Sequence, residues 1–306
     1  MELSIIIPTK DRIEILTASL KALRQAVSHI DCEVIVVNDS STSKPNIPLG
    51  FKKISVVNNP KSGVASARNF GASLALSQIL LFMDDDIQVS KDVIDRTIEF
   101  YKNNSNACFN PDWHYPSVLI DRLQSTAFGR FMIAYHLTSF KGWYNGLDWR
   151  EGEIFPVQLL ASFYLPITRD QFCRSGGYNE DFPHAGFEDY DFPVRLRKVG
   201  VRFFIDTRVS VFHNEEDRSD LRNWLGRQIR GAQTRKIGVG LGYQQLGIEY
   251  SYFKRFVYSA VFFFKTPLIR AVTAFPNVQA FDFIKFRLIL FLQAASIFEG
   301  YNKIKH

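Results

Sequence analysis

The sequence predicts an α/β fold: a mostly parallel sheet flanked by helices, continued by a helical, aromatic-rich C-terminal region. Three observations predict it. The first hundred residues alternate apolar runs with helix-like stretches. The runs are continuous rather than alternating in polarity. The later part of the chain turns basic and rich in phenylalanine. Continuous apolar runs mark strands buried on both faces, as parallel sheets require.

Residues 3–7 read as the first strand and 13–27 as the first helix. Further strands fall at 33–37, 54–57 and 79–83, and helices at 63–77 and 91–103. Residues 40–48 form a loop rich in Ser, Lys and Pro. The pattern from 104 to 150 is irregular apart from a helix at 124–140. A strand at 162–167 precedes the Gly176-Gly177 turn, a helix covers 190–199, and strands cover 201–205 and 209–212. Beyond Asn214 the chain is expected to be mostly helical. The strand–helix alternation is Rossmann-like.

With 46% hydrophobic and 22% charged residues in a chain of 306, a large core is expected and global disorder is excluded. The net charge of +6 is uneven: residues 217–306 hold 14 Lys and Arg against 5 Asp and Glu. Such a basic end suits nucleic acid, a phosphorylated acceptor or an anionic membrane surface, and charge alone does not choose. Cys32, Cys108 and Cys173 are odd in number and lack metal-type spacing. They are expected to be reduced thiols of a cytoplasmic protein. No signal peptide is visible, because the strand-like Leu3-Ser4-Ile5-Ile6-Ile7 begins at once.

In open parallel sheets ligands gather beyond the carboxyl ends of the strands. Pro8 to Arg12, Asn38-Asp39 and Asp84-Asp85-Asp86 all fall there and should share one crevice. Three consecutive aspartates repel one another and raise one another's pKa. A hard divalent cation, magnesium or manganese, removes that penalty. An acidic helix cap is the alternative. On an extended chain Asp84 and Asp86 point to one side and Asp85 to the other. The second acidic group, Glu188-Asp189-Tyr190-Asp191, opens a helix on which Glu188 and Asp191 share a face and Asp189 points elsewhere. One of these carboxylates suits a general base for a hydroxyl. His213, just past a strand, has an imidazole nitrogen suited to completing a metal site.

These residues carry a resemblance. The chain resembles glycosyltransferase family 2, enzymes of the GT-A fold, over roughly residues 2–215. The matching features are Ile5-Ile6-Ile7-Pro8-Thr9 with Asp11-Arg12, Val36-Val37-Asn38-Asp39-Ser40-Ser41 and Ala67-Arg68-Asn69-Phe70-Gly71. They continue with Leu81-Phe82-Met83-Asp84-Asp85-Asp86, Gly176-Gly177-Tyr178-Asn179-Glu180, Glu188-Asp189-Tyr190-Asp191 and His213. The resemblance implies a catalytic domain at 1–215, with a nucleotide-binding half at 1–103 and an acceptor half at 104–215. A basic helical region follows at 216–306.

It further implies a donor site of Pro8, Thr9, Arg12, Asp39, Arg68, Asp84 and Asp85. Asp39 accepts a uracil-type imide N–H there, and Asp84 faces the ribose. Asp86, His213 and Asp84 form the implied site for Mn2+ or Mg2+. Asp189 is the implied base of an inverting transfer, with Glu188 and Asp191 positioning it or the acceptor. The donor is then a nucleotide-sugar, by preference a UDP-sugar, and the acceptor a glycan or lipid-linked hydroxyl in polysaccharide or glycolipid assembly.

The aromatic-basic motif of processive polysaccharide synthases is not evident, and Arg222-Asn223-Trp224-Leu225-Gly226-Arg227 is only a distant echo, so single-sugar addition is favoured. A retaining transferase of the same fold is one rival. A nucleotidyltransferase is another, but it usually opens on a Gly-rich phosphate loop, and Pro8 to Arg12 holds no glycine. The non-enzymatic rival is a nucleic-acid-binding protein using the basic tail, but the acidic clusters repel phosphate unless metal is bound, so nucleic acid is not expected as a partner.

Two late stretches are strongly apolar. Residues 256–264 are flanked by Lys254, Arg255 and Lys265, and residues 288–298 follow Lys285 and Arg287. Both fall short of the ~20 residues of a spanning helix. Either they pack as core, or they lie in a membrane interface. The expectation is a cytoplasmic protein in peripheral contact with the inner face of the cell membrane. The oligomeric state is left open.

Overall fold

Strand β1 (Leu3–Thr9) is buried along its whole length, which is why its sequence shows no alternation. Helix α1 (Ile13–Ala26) buries Leu16, Leu20 and Leu23, spaced to fall on one face. Next come β2 (Cys32–Asn38), β3 (Ile54–Asn58), α2 (Val64–Leu74), β4 (Ile79–Met83), β5 (Ile87–Gln88) and α3 (Lys91–Asn103). β6 (Ala107–His114) leads to three short helices, α4 (Ser117–Gln124), α5 (Ala127–Ala134) and α6 (Phe140–Trp143). β7 (Ile154–Val157), β8 (Tyr164–Thr168), α7 (Arg169–Ser175), α8 (Glu188–Lys198) and β9 (Arg202–His213) complete the α/β part. The remainder is helical: α9 (Leu221–Gly240), α10 (Tyr252–Phe263), α11 (Lys265–Ala274) and α12 (Asp282–Lys303). This computed structural model describes residues 1–42, 45, 47, 50–144, 148–182, 185–216, 219–274 and 277–303. Of the loop expected at 40–48, positions 43, 44, 46 and 48 lie outside the described residues.

The main sheet has the order β3-β2-β1-β4-β8, with β1 to β4 parallel and β8 antiparallel to β4. β4 pairs with β1 only at Ser4, Ile5 and Ile6, so Pro8 lies beyond that ladder, where a missing N–H costs little. In the second sheet β9 pairs antiparallel with β5 and β7 and parallel with β6.

Three expectations need correction. The helix at 124–140 is interrupted. Thr126 caps α5 by accepting from the Gly129 N–H, and Ser139 caps α6 by accepting from the Gly142 N–H, so each polar residue restarts a helix. The strands at 201–205 and 209–212 are one strand, β9. Asp206 does not break it, because the buried carboxylate pairs with Arg96 at 2.7 Å and Arg208 at 2.6 Å. β6 falls in the stretch taken as irregular. Its Asn110-Pro111-Asp112 reads as a turn, but the register shifts between Pro111 and Asp112, and such a bulge accommodates a proline. Asn110, fully buried, donates to the carbonyls of Ala161 and Tyr164.

The chain clusters into two units. The first comprises Met1–His114, Gly146–Pro183 and Glu188–Asn214. In it α2 lies on β1 and β2 through small residues. A Cβ on Gly71 would stand 2.4 Å from Ile6 Cγ2 and 3.1 Å from Val37 Cγ2. Gly71→Ala should therefore destabilise by about 1–3 kcal/mol, although alanine is the better helix former by about 1 kcal/mol. A urea midpoint equal to or above the parent's would refute this packing.

The second unit comprises Tyr115–Asn145, His184–Phe187 and Glu215–His306. Its core forms where Trp224 of α9 meets Phe128 and Phe131 of α5, at ring distances of 5.4 and 5.9 Å. Phe286 of α12 joins Phe131 at 5.6 Å. Gly300 lets α12 approach α9 closely, since a Cβ there would lie 2.3 Å from the Ile229 carbonyl oxygen. Arg130 forks onto Asp282 at 2.6 and 2.7 Å and ties α5 to the start of α12.

Candidate active site

The site lies in the first unit, at the carboxyl ends of β1, β2 and β4. Past β4 the chain does not stay extended. The Ile87 N–H donates to the Asp84 carbonyl at 3.2 Å, so Asp84, Asp85 and Asp86 sit in a tight turn. The expected alternation of the three side chains therefore fails. Asp85 and Asp86 share one cation, and Asp84 goes to another.

The shared cation is Arg12, at the start of α1. It donates to Asp85 Oδ1 at 2.5 Å and to Asp86 Oδ2 at 2.8 Å. Thr9, at the end of β1, donates to Asp85 Oδ2 at 2.7 Å. Burial nevertheless pushes Asp85 up to about 7, overriding Arg12, with the neighbouring aspartate charges adding to the shift. On the other side of Asp86, Oδ1 meets His213 Nε2 at 3.2 Å. The Asn214 N–H donates to the Asp86 carbonyl, which fastens the end of β9 to the turn. The Trp113 ring, near-perpendicular at a ring distance of 5.0 Å, and Phe163, stacked at 6.2 Å, frame the imidazole.

Arg68, on α2, is the second cation. Its guanidinium reaches Asp84 at 2.8 Å and both Glu188 and Asp189 at 3.2 Å, and it stands 5.0 Å over the Tyr178 ring. Burial alone pulls its pKa down, but the surrounding carboxylates outweigh that and hold it above the ordinary arginine range. The side chain of Arg68 is 2% exposed and that of Glu188 1%, whereas Asp84 keeps 29% and Asp189 32%. Of the two helix-start carboxylates on Arg68, only Asp189 is open to a second molecule. Asp191 is held differently. It takes both Nε and Nη2 of Arg195, whose Nη1 donates to the Ser175 and Gly177 carbonyls.

Asp39 closes the third corner, past β2. Its Oδ1 accepts from Asn59 at 2.7 Å and from the Gly63 N–H at 3.0 Å, and its Oδ2 accepts from the exposed Lys10 at 3.1 Å. Gly63 has φ +115°, a left-handed backbone that directs this N–H into the carboxylate at the head of α2.

The structure therefore gathers Thr9, Arg12, Asp85, Asp86 and His213 into one cluster, and Arg68, Asp84, Glu188 and Asp189 into another. It holds Asp84 on Arg68 rather than in the pair Asp86–His213, and Asp191 on Arg195. Pro8 lies buried in β1. Asn59, Trp113, Phe163 and Tyr178 take part without having been assigned a role from the sequence. Asn59 follows β3, so the strand-end rule reaches it. Trp113 belongs to β6, the strand that Pro111 conceals.

Residues 4–154 match the family model for glycosyl transferase family 2. Over that stretch the chain is a family 2 glycosyltransferase domain. The match takes in Thr9 to Asp86 but stops before Glu188 and His213. The chain is 27% identical over 228 residues to the validoxylamine A glucosyltransferase of Streptomyces hygroscopicus subsp. jinggangensis, covering 65% of this chain and 52% of the relative. It is 31% identical over 206 residues to an uncharacterized glycosyltransferase of Haemophilus influenzae, covering 63% of this chain and 61% of the relative. The chain thus spans about half the length of the first of these relatives. Among solved structures, a mannosyltransferase from Pyrobaculum calidifontis in complex with GDP-Man and Mn2+ superposes with a TM-score of 0.56 at 15% identity. The likeness covers 99% of this chain and 88% of that one, and it is a likeness of fold, the GT-A fold.

Proposed function

We propose that this family 2 chain is a metal-dependent, inverting glycosyltransferase. It moves one sugar from a nucleotide-sugar, by preference a UDP-sugar, to the hydroxyl of a glycan or lipid-linked acceptor. The observation that carries this reading is Arg68. It binds the strand-end Asp84, two residues before the Asp86 that meets His213, and the helix-start Asp189 to one buried guanidinium.

Each part has a chemical task. Asn59 and the Gly63 N–H orient Asp39 through Oδ1, while Oδ2, which accepts from the exposed Lys10, would take an imide N–H in its place. Asp86 and His213 would hold a divalent cation. A carboxylate oxygen beside an imidazole nitrogen is a donor set that suits manganese. When bound, such a cation supplies charge neutralisation for the departing nucleoside diphosphate. The fold neighbour's GDP-Man and Mn2+ are in keeping with both.

Asp189 takes the proton of the acceptor hydroxyl as that oxygen bonds to the anomeric carbon. The bond from that carbon to the diphosphate breaks, and its electron pair leaves with the phosphate. A single displacement of this kind inverts the anomeric centre. Arg68 fixes Asp189 in place, and Glu188 shares the same cation.

Asp189→Asn is expected to lower kcat by about 10²- to 10⁴-fold with little change in donor affinity, because it removes the base without removing bulk. NMR of the product should show an inverted anomeric configuration. Wild-type turnover would reject Asp189 as the base, and a retained configuration would reject the single displacement.

A further inference from the structure

We propose that the outer faces of α10 and α12 form a docking surface for an anionic lipid bilayer, on which they lie without crossing it. No residue of α10 is buried. Phe253, Phe256 and Phe263 fall on one side of that helix and keep 76%, 74% and 80% of their surface. On α12, Phe283, Ile284 and Phe291 also share a side and keep 66%, 57% and 49%. The inner sides of the same helices are satisfied, with Tyr258 packed on Phe298 at a ring distance of 5.9 Å. Isolated exposed apolar residues are normal on a surface, but six large ones on two packed helices of one unit call for an apolar cover.

Charge identifies the cover. Residues 252–287 hold six Lys and Arg against one acidic residue, Asp282, and that one already pairs with Arg130. Five of the six cations are exposed, Lys285 being buried. Lys265 lies 4.2 Å from the centre of the Phe262 ring, and Arg287 lies 4.5 Å from that of Phe283. Rings and cations thus leave the helices side by side. At a lipid surface the rings enter the acyl boundary while the cations meet headgroup phosphates. A second copy of this chain would bring the same positive charge against itself.

Length argues for lying in the plane. Among the described residues no single helix is long and apolar enough to cross a membrane. α10 and α11 together reach the length and composition, but they bend by 64° at their junction. The inference does not depend on the transfer chemistry proposed above, and its test reads binding alone.

The test is flotation of the full chain with vesicles of phosphatidylcholine, with and without phosphatidylglycerol. Binding is expected on the anionic vesicles and should weaken as salt is raised. Lys254→Gln and Lys265→Gln should each weaken it about fivefold. The double variant Phe253→Glu/Phe256→Glu should weaken it at least about tenfold. Because these side chains are exposed, the variants should keep the parent's circular dichroism and Tm. No flotation on either vesicle, or undiminished flotation of a folded double variant, would overturn the proposal. So would retention in the vesicles after alkaline carbonate, which would mean a spanning pair. A parent dimer in sedimentation that the double variant abolishes would assign the face to a second copy instead.

Discussion

Arg68→Met is expected to cost about 3–5 kcal/mol of stability, the range for removing one partner from a buried ion cluster. The side chain is 2% exposed and serves Asp84, Glu188 and Asp189, of which Glu188 has no solvent to turn to. Once Arg68 is gone, three carboxylates face one another around an apolar stem. Arg68→Lys should rescue only part of this, because an ammonium on a flexible stem lacks the planar fork that reaches several carboxylates. Urea unfolding measures the loss. Adding Glu188→Gln to Arg68→Met should restore part of it by removing the most deeply buried of the three carboxylate charges, and the two changes should not be additive. An unchanged midpoint in Arg68→Met would show that the cluster does not hold the fold.

Asp86→Ala is expected to abolish metal-dependent donor binding and to lower turnover by about 10³-fold or more, corresponding to several kcal/mol of lost charge stabilisation. Asp86 is the carboxylate that meets His213, at 3.2 Å, while its other oxygen is held by Arg12. Calorimetry of nucleoside diphosphates with and without manganese separates this from a general loss of binding. The parent should lose turnover in chelator and regain it with manganese, whereas the variant should be inactive and indifferent to both. Asp86→Asn keeps the shape of the turn and serves as the control for folding. A variant with the parent's manganese dependence would remove Asp86 from the metal site.

Much of the fold is legible in the sequence because its strands are locally apolar and its helices locally periodic. The runs at 79–83 and 91–103 coincide with β4 and α3. The second sheet is harder to see, for a physical reason. Pro111 enters β6 at a bulge, and Asp206 crosses β9 with its charge cancelled by Arg96 and Arg208. Both residues look like interruptions until their distant partners are in place.

The sequence alone determined which chemical groups stand past strand ends. Apolar runs end where they end, so by local hydrophobicity Thr9 closes β1, and Asp39 and the three aspartates follow β2 and β4. Only the tertiary structure decided which anion meets which cation. Arg68 meets Asp84 and, 120 residues on, Glu188; Arg12 takes Asp85 and Asp86; Asp191 goes to Arg195. A turn, rather than an extended strand, separates Asp84 from its two neighbours. Charges pair by distance and burial, and these are set by how closely α2 approaches the sheet and where α8 begins, which no local pattern of residues encodes.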